Sequence, residues 1–200
     1  MNNFWNERYA EKEFAYGILP NQFLADSILK LSKHGKILFP AEGEGRNAVF
    51  AAKNGFEVTA FDLSIEGKKK ADELAKDNNV QIDYRVGVLE NLNFEPNSFD
   101  GVVFIYAHFP KAIRKALHQQ ILQLVKPNGI IIFEAFSKEQ LDYPSGGPKE
   151  VAMLFSQEEV KEEFENIDFD FLKTEIIELN EGPFHQGKGS VVRFIGKKKC

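Results

Sequence analysis

KILFPAEGEGRNAVFAAKNGFEVTAFD, running from Lys36 to Asp62, passes through a strand, a glycine loop, a helix, a second strand and an acid without a break. Lys36 to Phe39 form a short apolar run, and Gly43 and Gly45 then permit a tight turn and a close backbone approach. Arg46 to Asn54 carry a helical pattern closed by Gly55. Phe56 to Phe61 alternate as a buried strand does, and Asp62 follows at its end, where a carboxylate reaches both hydroxyls of a ribose. This order opens a nucleotide-cofactor fold and predicts an adenosine-bearing ligand.

Outward from that unit, helix-period and strand-period segments continue to alternate, the pattern of parallel βαβ units. Pro20 and Asn21 open a helix with Leu24, Ile28 and Leu31 at i, i+4 and i+7. A helix is predicted over Ile65 to Asp77 and a third strand over Gln81 to Val86. Phe99 to Ala107 reads as a strand covered on both faces. Pro110 is placed as the first residue of a helix that KPNG stops, and Gly129 to Phe136 is the fifth strand. Ser156 with Glu159 is a capping-box signature. Thr174 to Asn180 and Ser190 to Gly196 are joined by EGPFHQGKG, too short for a parallel return, so the last two strands pair antiparallel.

Two hundred residues with 43% hydrophobic content suit one domain over 1–200, with 1–33 as an N-terminal cap and first helix and 34–200 as the core. A net charge of −5 argues against a nucleic-acid partner. The lone Cys200 makes no internal disulfide, and neither a leader-like apolar segment nor a stretch of membrane-spanning length is seen. The expectation is a cytoplasmic protein without a membrane or metal partner, a monomer or weak homodimer.

GEGRNA, Gly43 to Ala48, matches the dinucleotide fingerprint, so a nicotinamide dehydrogenase enters consideration. A diphosphate wants a helix N-terminus with unopposed amides, whereas here Glu42 and Glu44 flank the glycines. Two carboxylates favour a cationic ligand, and S-adenosylmethionine offers a sulfonium and an ammonium. Arg46 works against this by offsetting one carboxylate, or else holds a carboxylate of the ligand. A binding module that holds the cofactor without turnover is the remaining alternative.

LFPAEGEGRNAVF, the acid Asp62, FDGVVF, the KPNGIIIFEAF step and the terminal strand pair together resemble class I S-adenosylmethionine-dependent methyltransferases over nearly the whole chain. WNERYAEKEFAYGILPNQFL, YAHFP and GPFHQGKGSVVRF are similar to a small bacterial subgroup related to tellurite-resistance and thiopurine-type methyltransferases. The resemblance implies an α/β, Rossmann-like fold: a seven-stranded, mostly parallel sheet in the order 3-2-1-4-5-7-6, strand 7 antiparallel, with helices on both faces. It implies methyl transfer from S-adenosyl-L-methionine to a small-molecule acceptor. The loop Ala41 to Gly45 would border the methionine part, Asp62 the ribose, Leu63 an adenine face, and Val88 with Leu89 the adenine edge, with Ser64 also among the cofactor-binding residues. Ala41 stands where the family usually has its first glycine, and Val88 where an aspartate is often found. The N-terminal segment would fold over the cofactor, bringing Tyr9 and Tyr16 to it.

Methyl transfer from a sulfonium is an in-line displacement, so alignment and exclusion of water do most of the work. A hydroxyl or ammonium acceptor needs a base, and His108 and His185 are the candidates on the ligand edge. The plain alternatives are that His108 caps the Pro110 helix or bonds backbone, and that His185 is a solvated turn residue. Tyr106, at the end of the fourth strand, is read as pocket or core, and Asp62 as ribose ligand or helix cap. Trp5, Tyr9, Phe14 and Tyr16 alternatively staple the N-terminus to the domain. Lys68 to Lys70 and Lys197 to Lys199 are read as solvated, and Gly146, Gly147 and Lys149 as a lid or a simple turn.

Overall fold

The computed structural model describes residues 2–31 and 34–200. Seven strands form one sheet: β1 Lys36–Pro40, β2 Glu57–Asp62, β3 Asp83–Val86, β4 Phe99–Ile105, β5 Val125–Phe136, β6 Ile167–Glu181 and β7 His185–Lys198. Their order is β3-β2-β1-β4-β5-β7-β6. β1 to β5 pair in parallel, and β7 runs antiparallel to both β5 and β6. This is the strand order, with its reversed seventh strand, that the family resemblance implies.

Alternation along the strands divides the core into two layers. Ile37, Phe39, Val58, Ala60, Val103 and Ile132 pack with the helices α2 Gln22–Ser27, α3 Arg46–Lys53 and α4 Ile65–Asp77. Leu38, Val102, Phe104, Ile131, Phe133 and Phe194 face the other way, toward α5 Lys111–Leu124 and α6 Gln157–Glu163. Each such side chain, fully buried, contributes roughly 1.5–3 kcal/mol. That burial fixes which strand ends share an edge, and hence where the site lies.

Several boundaries differ from expectation. Asn21 caps α2 through its side chain, but the α-helix ends at Ser27; a 3₁₀ turn, Ile28–Lys30, follows, and Leu31 is buried in extended backbone. Pro110 is the N-cap of α5 and not its first residue: its ψ of 135 is extended, and its carbonyl accepts from Ile113 and Arg114. β5 begins at Val125, which pairs with Phe99 before the ladder resumes at Ile130 opposite Gly101. The capping box at Ser156 and Glu159 is present in full. β6 and β7 are both longer than the apolar pattern indicates, pairing out to Glu181 opposite His185, so only Gly182 to Phe184 turn the hairpin.

The N-terminal segment forms a helix, α1 Asn2–Ala10, that packs on α4. Asn6 accepts from the Ser64 hydroxyl at 2.6 Å, and Tyr9 packs against Gly43 and Gly67. The division expected between the N-terminal segment and the core falls at Ser32 and Lys33, which, like Met1, lie outside the described residues. Among the described residues no helix is long and apolar enough to cross a membrane.

Candidate cofactor and acceptor site

The carboxyl ends of β1, β2 and β4 meet under α1. In an open α/β sheet this edge, where strand order reverses, receives ligands. β1 delivers the loop 41–45. Ala41 holds φ 50, a left-handed conformation that a Cβ disfavours. Gly43 and Gly45 hold φ 66 and 85. A Cβ on Gly43 would stand 2.6 Å from the Tyr9 hydroxyl, and one on Gly45 2.5 Å from the Ala71 Cβ of α4. The glycines thus let the loop close under α1 and α4.

Glu42 turns back over the start of α3. Its Oε1 accepts from the amides of Asn47 and Ala48 at 2.9 and 2.7 Å, satisfying N–H groups that a diphosphate would need. Burial pushes this carboxyl up to about 7, against the pull of those amides and of Arg46. Glu44 corrects the expectation that both carboxylates face a ligand. It turns outward, accepts from the Ala15 amide and pairs with Lys70 at 2.7 Å, so its charge is spent on the N-terminal segment. The Lys70 side chain is correspondingly 12% exposed and is not a solvated lysine. Arg46 does offset a carboxylate, but that of Glu181 on β6, at 2.9 Å.

Asp62 closes β2, buried. Oδ2 accepts from the Gly43 amide at 3.1 Å and Oδ1 from the Ser64 amide at 2.8 Å, which orients the carboxylate and leaves further lone pairs open toward the cavity. Burial nonetheless raises its pKa. The cap of α4 is Ser64, whose hydroxyl accepts from the Gly67 amide, so Asp62 is not spent on capping.

Two adjacent cavities with wall residues in common occupy this edge. The inner one, about 70 Å³, is walled by Ala41, Glu42, Arg46, Asn47 and Asp62 below and Trp5, Tyr9 and Tyr16 above, and Ile105, Tyr106, His108 and His185 close its far end. The outer cleft, about 730 Å³, shares Trp5, Tyr16, His108 and His185 with it and opens between α1 and the 146–150 loop. Of the residues expected at the cofactor, Gly43, Glu44, Gly45, Leu63, Ser64, Val88 and Leu89 are not on the cavity wall. Leu63 and Val88 form a partly exposed shoulder beside Asp62, where the Gly87 amide bonds the Asp62 carbonyl. Ser64 is committed to α4 and Asn6.

Where the cavities meet, the aromatic rings pack closely. His185 stands 4.5 Å from Tyr16, 4.9 Å from Tyr106 and 5.1 Å from Phe136, centroid to centroid. Tyr106 lies stacked on Phe136 at 4.6 Å, with its own φ at 51, strain that sparsely populated backbone stores at functional positions. His108 neither caps α5 nor bonds backbone: its Nδ1 is buried without a partner, and burial pushes the imidazole down to about 3. His185 is buried, not a solvated turn residue. Its Nδ1 stands 3.4 Å from Glu181 Oε2, and burial lowers its pKa despite that carboxylate. Glu181 also accepts from Asn21, which donates on to the buried Glu134 paired with Arg193. Glu181 is absent from the sequence reading because its contact with His185 depends on the hairpin register.

Residues 37–129 match the family model described as a methyltransferase domain. A ubiquinone biosynthesis O-methyltransferase from Xanthomonas campestris pv. campestris is 33% identical over 99 residues, 48% of this chain and 41% of that protein; the chain therefore spans about two fifths of the length of that relative. TehB from Haemophilus influenzae superposes with a TM-score of 0.72 at 18% identity, over 99% of this chain and 67% of that one. A structure solved for the conversion of a disulfide bond into a thioacetal group during echinomycin biosynthesis superposes at 0.77 and 16% identity, over 100% of this chain and 92% of that one. By sequence, residues 37–129 are similar to a methyltransferase domain, and the superpositions show that the chain shares its fold, a Rossmann-like methyltransferase fold, with these solved structures.

Proposed function

We propose that the chain is a methyltransferase that uses S-adenosyl-L-methionine to methylate a small molecule. The observation that carries this reading is the pairing of Glu42 with the start of α3. The Glu42 carboxyl already holds the amides of Asn47 and Ala48, so the crevice suits a cationic amino-acid group and not a pyrophosphate. Asp62, oriented by the Gly43 and Ser64 amides, receives the ribose hydroxyls, and the adenine lies outward over Leu63 and Val88. Tyr9, Tyr16 and Trp5 of the N-terminal segment cover the cofactor and exclude water.

When bound, the cofactor supplies an activated methyl carbon on a sulfonium leaving group. The protein aligns an acceptor in the outer cleft and takes the proton that the acceptor sheds. Glu181 accepts from His185 Nδ1–H, leaving Nε2 as the basic nitrogen, and His108 offers a second neutral imidazole at the same point. We read the closer relationship, from the N-terminal and terminal-hairpin motifs, as lying with the tellurite-resistance and thiopurine-type subgroup.

Release of S-adenosylhomocysteine from the methyl donor across a panel of thiols, hydroxyl compounds and chalcogen oxyanions tests the proposal. Product formed with one acceptor class, and lost in His185→Ala with cofactor affinity retained, is the expected result. Donor binding without product from any of them would leave a binding module, and nicotinamide dinucleotide in its place would leave a dehydrogenase.

A further inference from the structure

The outer cleft carries a charge at odds with the rest of the chain. In a protein of net charge −5, Arg8 of α1 reaches its wall and has no carboxylate within ion-pair distance among the described residues. Its guanidinium is nonetheless held in place. Nη1 donates to the Tyr16 hydroxyl at 2.9 Å, and the guanidinium carbon lies 4.3 Å from the Phe184 ring centre and 4.7 Å from that of Phe4. The two phenylalanines are 46% and 51% exposed, unusual for aromatics and oriented about the mouth of the cleft. Among the described residues the other charges on the wall are Lys149 and Glu150, which are adjacent, exposed and of opposite sign.

Rings make up much of the rest of the wall: Trp5, Tyr16, His108 and His185 join Phe4 and Phe184 on it. The His108 ring is parallel to Phe136 within 2°, and Gly147 lies so close on Phe136 that a Cβ there would stand 2.8 Å from the ring. Gly146 approaches His185 in the same way. Backbone and ring faces, and not branched side chains, line this end. A guanidinium preset by stacking and by one hydrogen bond is the preferred receptor for a planar oxyanion, because it loses little freedom on pairing.

We propose that the methyl acceptor is a flat, conjugated molecule bearing an anionic group, a carboxylate or comparable oxyanion, received by Arg8 at the mouth of the cleft while its nucleophilic end reaches His108 and His185. This rests on the acceptor being bound in the outer cleft, as the proposed function holds. At about 730 Å³ the cleft is of a size that takes such a molecule whole.

The test is calorimetric titration of the full chain, with and without S-adenosylhomocysteine, using 6-hydroxy-2-naphthoate and its uncharged amide, which differ in charge but scarcely in shape. The naphthoate is expected to bind at least about tenfold more tightly. In Arg8→Gln that preference should fall below about twofold, and Arg8→Lys should restore part of it. Equal binding of the two probes by the unaltered protein, or a preference that persists in Arg8→Gln, overturns the proposal. Should Arg8→Gln lower S-adenosylhomocysteine affinity, α1 has been disturbed, and the unaltered protein together with Arg8→Lys decides. If S-adenosylhomocysteine itself does not bind, the proposed function fails, while the charge preference is still read from the titration without it.

Discussion

Oε1 of Glu42 accepts from the backbone amide of Ala48 at 2.7 Å, so the residue before the first glycine of the loop caps the helix that follows the second. An acid in the sequence of a phosphate-type loop has become an intramolecular substitute for the phosphate. Glu42→Ala should leave the Asn47 and Ala48 amides unpaired and lower stability by about 1 kcal/mol, the lost cap outweighing the desolvation relieved. The urea midpoint measures it, and the freed amides should raise the affinity for nicotinamide dinucleotide above that of the unaltered protein. An unchanged midpoint would contradict the capping role.

Because burial pushes Glu42 up to about 7, it is close to half protonated at neutral pH. A sulfonium and ammonium brought beside it favour the carboxylate, so cofactor binding should expel roughly half a proton at pH 7. Titration of S-adenosylmethionine in buffers of different ionisation enthalpy reads the proton count. S-Adenosylhomocysteine, without the sulfonium, should release less, and Glu42→Gln should release none. The same heat in every buffer would refute the contact.

Ala41 and Gly45 both hold left-handed backbone, with opposite consequences. Ala41→Gly relieves roughly 1–2 kcal/mol of steric cost and adds about 0.4–1 kcal/mol of unfolded-chain entropy, so thermal or urea unfolding should show a small gain of up to about 1 kcal/mol. Gly45→Ala adds a methyl 2.5 Å from the Ala71 Cβ as well as the strained φ. It should cost roughly 2–4 kcal/mol. A neutral Gly45→Ala would mean that α3 and α4 do not approach as described.

Away from the site, His118 is fully buried among Phe104, Phe109, Phe133 and Phe164, its Nδ1 3.0 Å from Glu163, which also pairs with Arg114. Its Nε2 has no partner. Burial lowers the His118 pKa despite Glu163, and the Glu163 pKa is lowered by His118 and Arg114 against its own burial. For a histidine depressed in this way the stabilisation is complete above the unfolded value near 6.5 and is lost as pH falls toward the folded value. The glutamate acts in the same direction below about 4.5. Glu42, Asp62 and Glu134, whose pKa values burial raises, act in the opposite direction, so the His118 contribution is read as a difference: relative to the unaltered protein, the urea midpoint of His118→Leu should rise progressively on acidification from about pH 6.5. A slope unaltered by His118→Leu would contradict this.

The parallel core was legible because its strands are buried on both faces and read as apolar runs broken by glycine and capping residues. The ends of β6 and β7 were not, since Asp168, Lys173 and Glu181 on the edge strand, and Lys197 opposite Asp168, give no apolar signal while the backbone still pairs. α1 sets Arg8 on the same side as Phe4, Trp5 and Tyr9, so no clean apolar stripe marks it, and it is contact with α4 that makes it a helix. Residue type pointed to Glu42, Asp62, Tyr106, His108 and His185, and the fold brings these five to the wall of one cavity. The partners that decide their chemistry come from far along the chain: Glu44 meets Lys70, 26 residues on, and Arg46 meets Glu181, 135 residues on. Such pairings are set by tertiary packing, which no local pattern encodes.

The claim on which the account rests is that Asp62 holds the ribose of S-adenosylmethionine beneath α1. Calorimetric titration of S-adenosylhomocysteine into the unaltered chain and Asp62→Ala tests it most directly, with nicotinamide dinucleotide as competitor. The account predicts binding that the dinucleotide does not displace and that weakens by about 1–3 kcal/mol in the variant, the cost of hydroxyls left unpaired. Equal affinity in the two proteins, or a crevice that takes the dinucleotide and refuses S-adenosylhomocysteine, would contradict it.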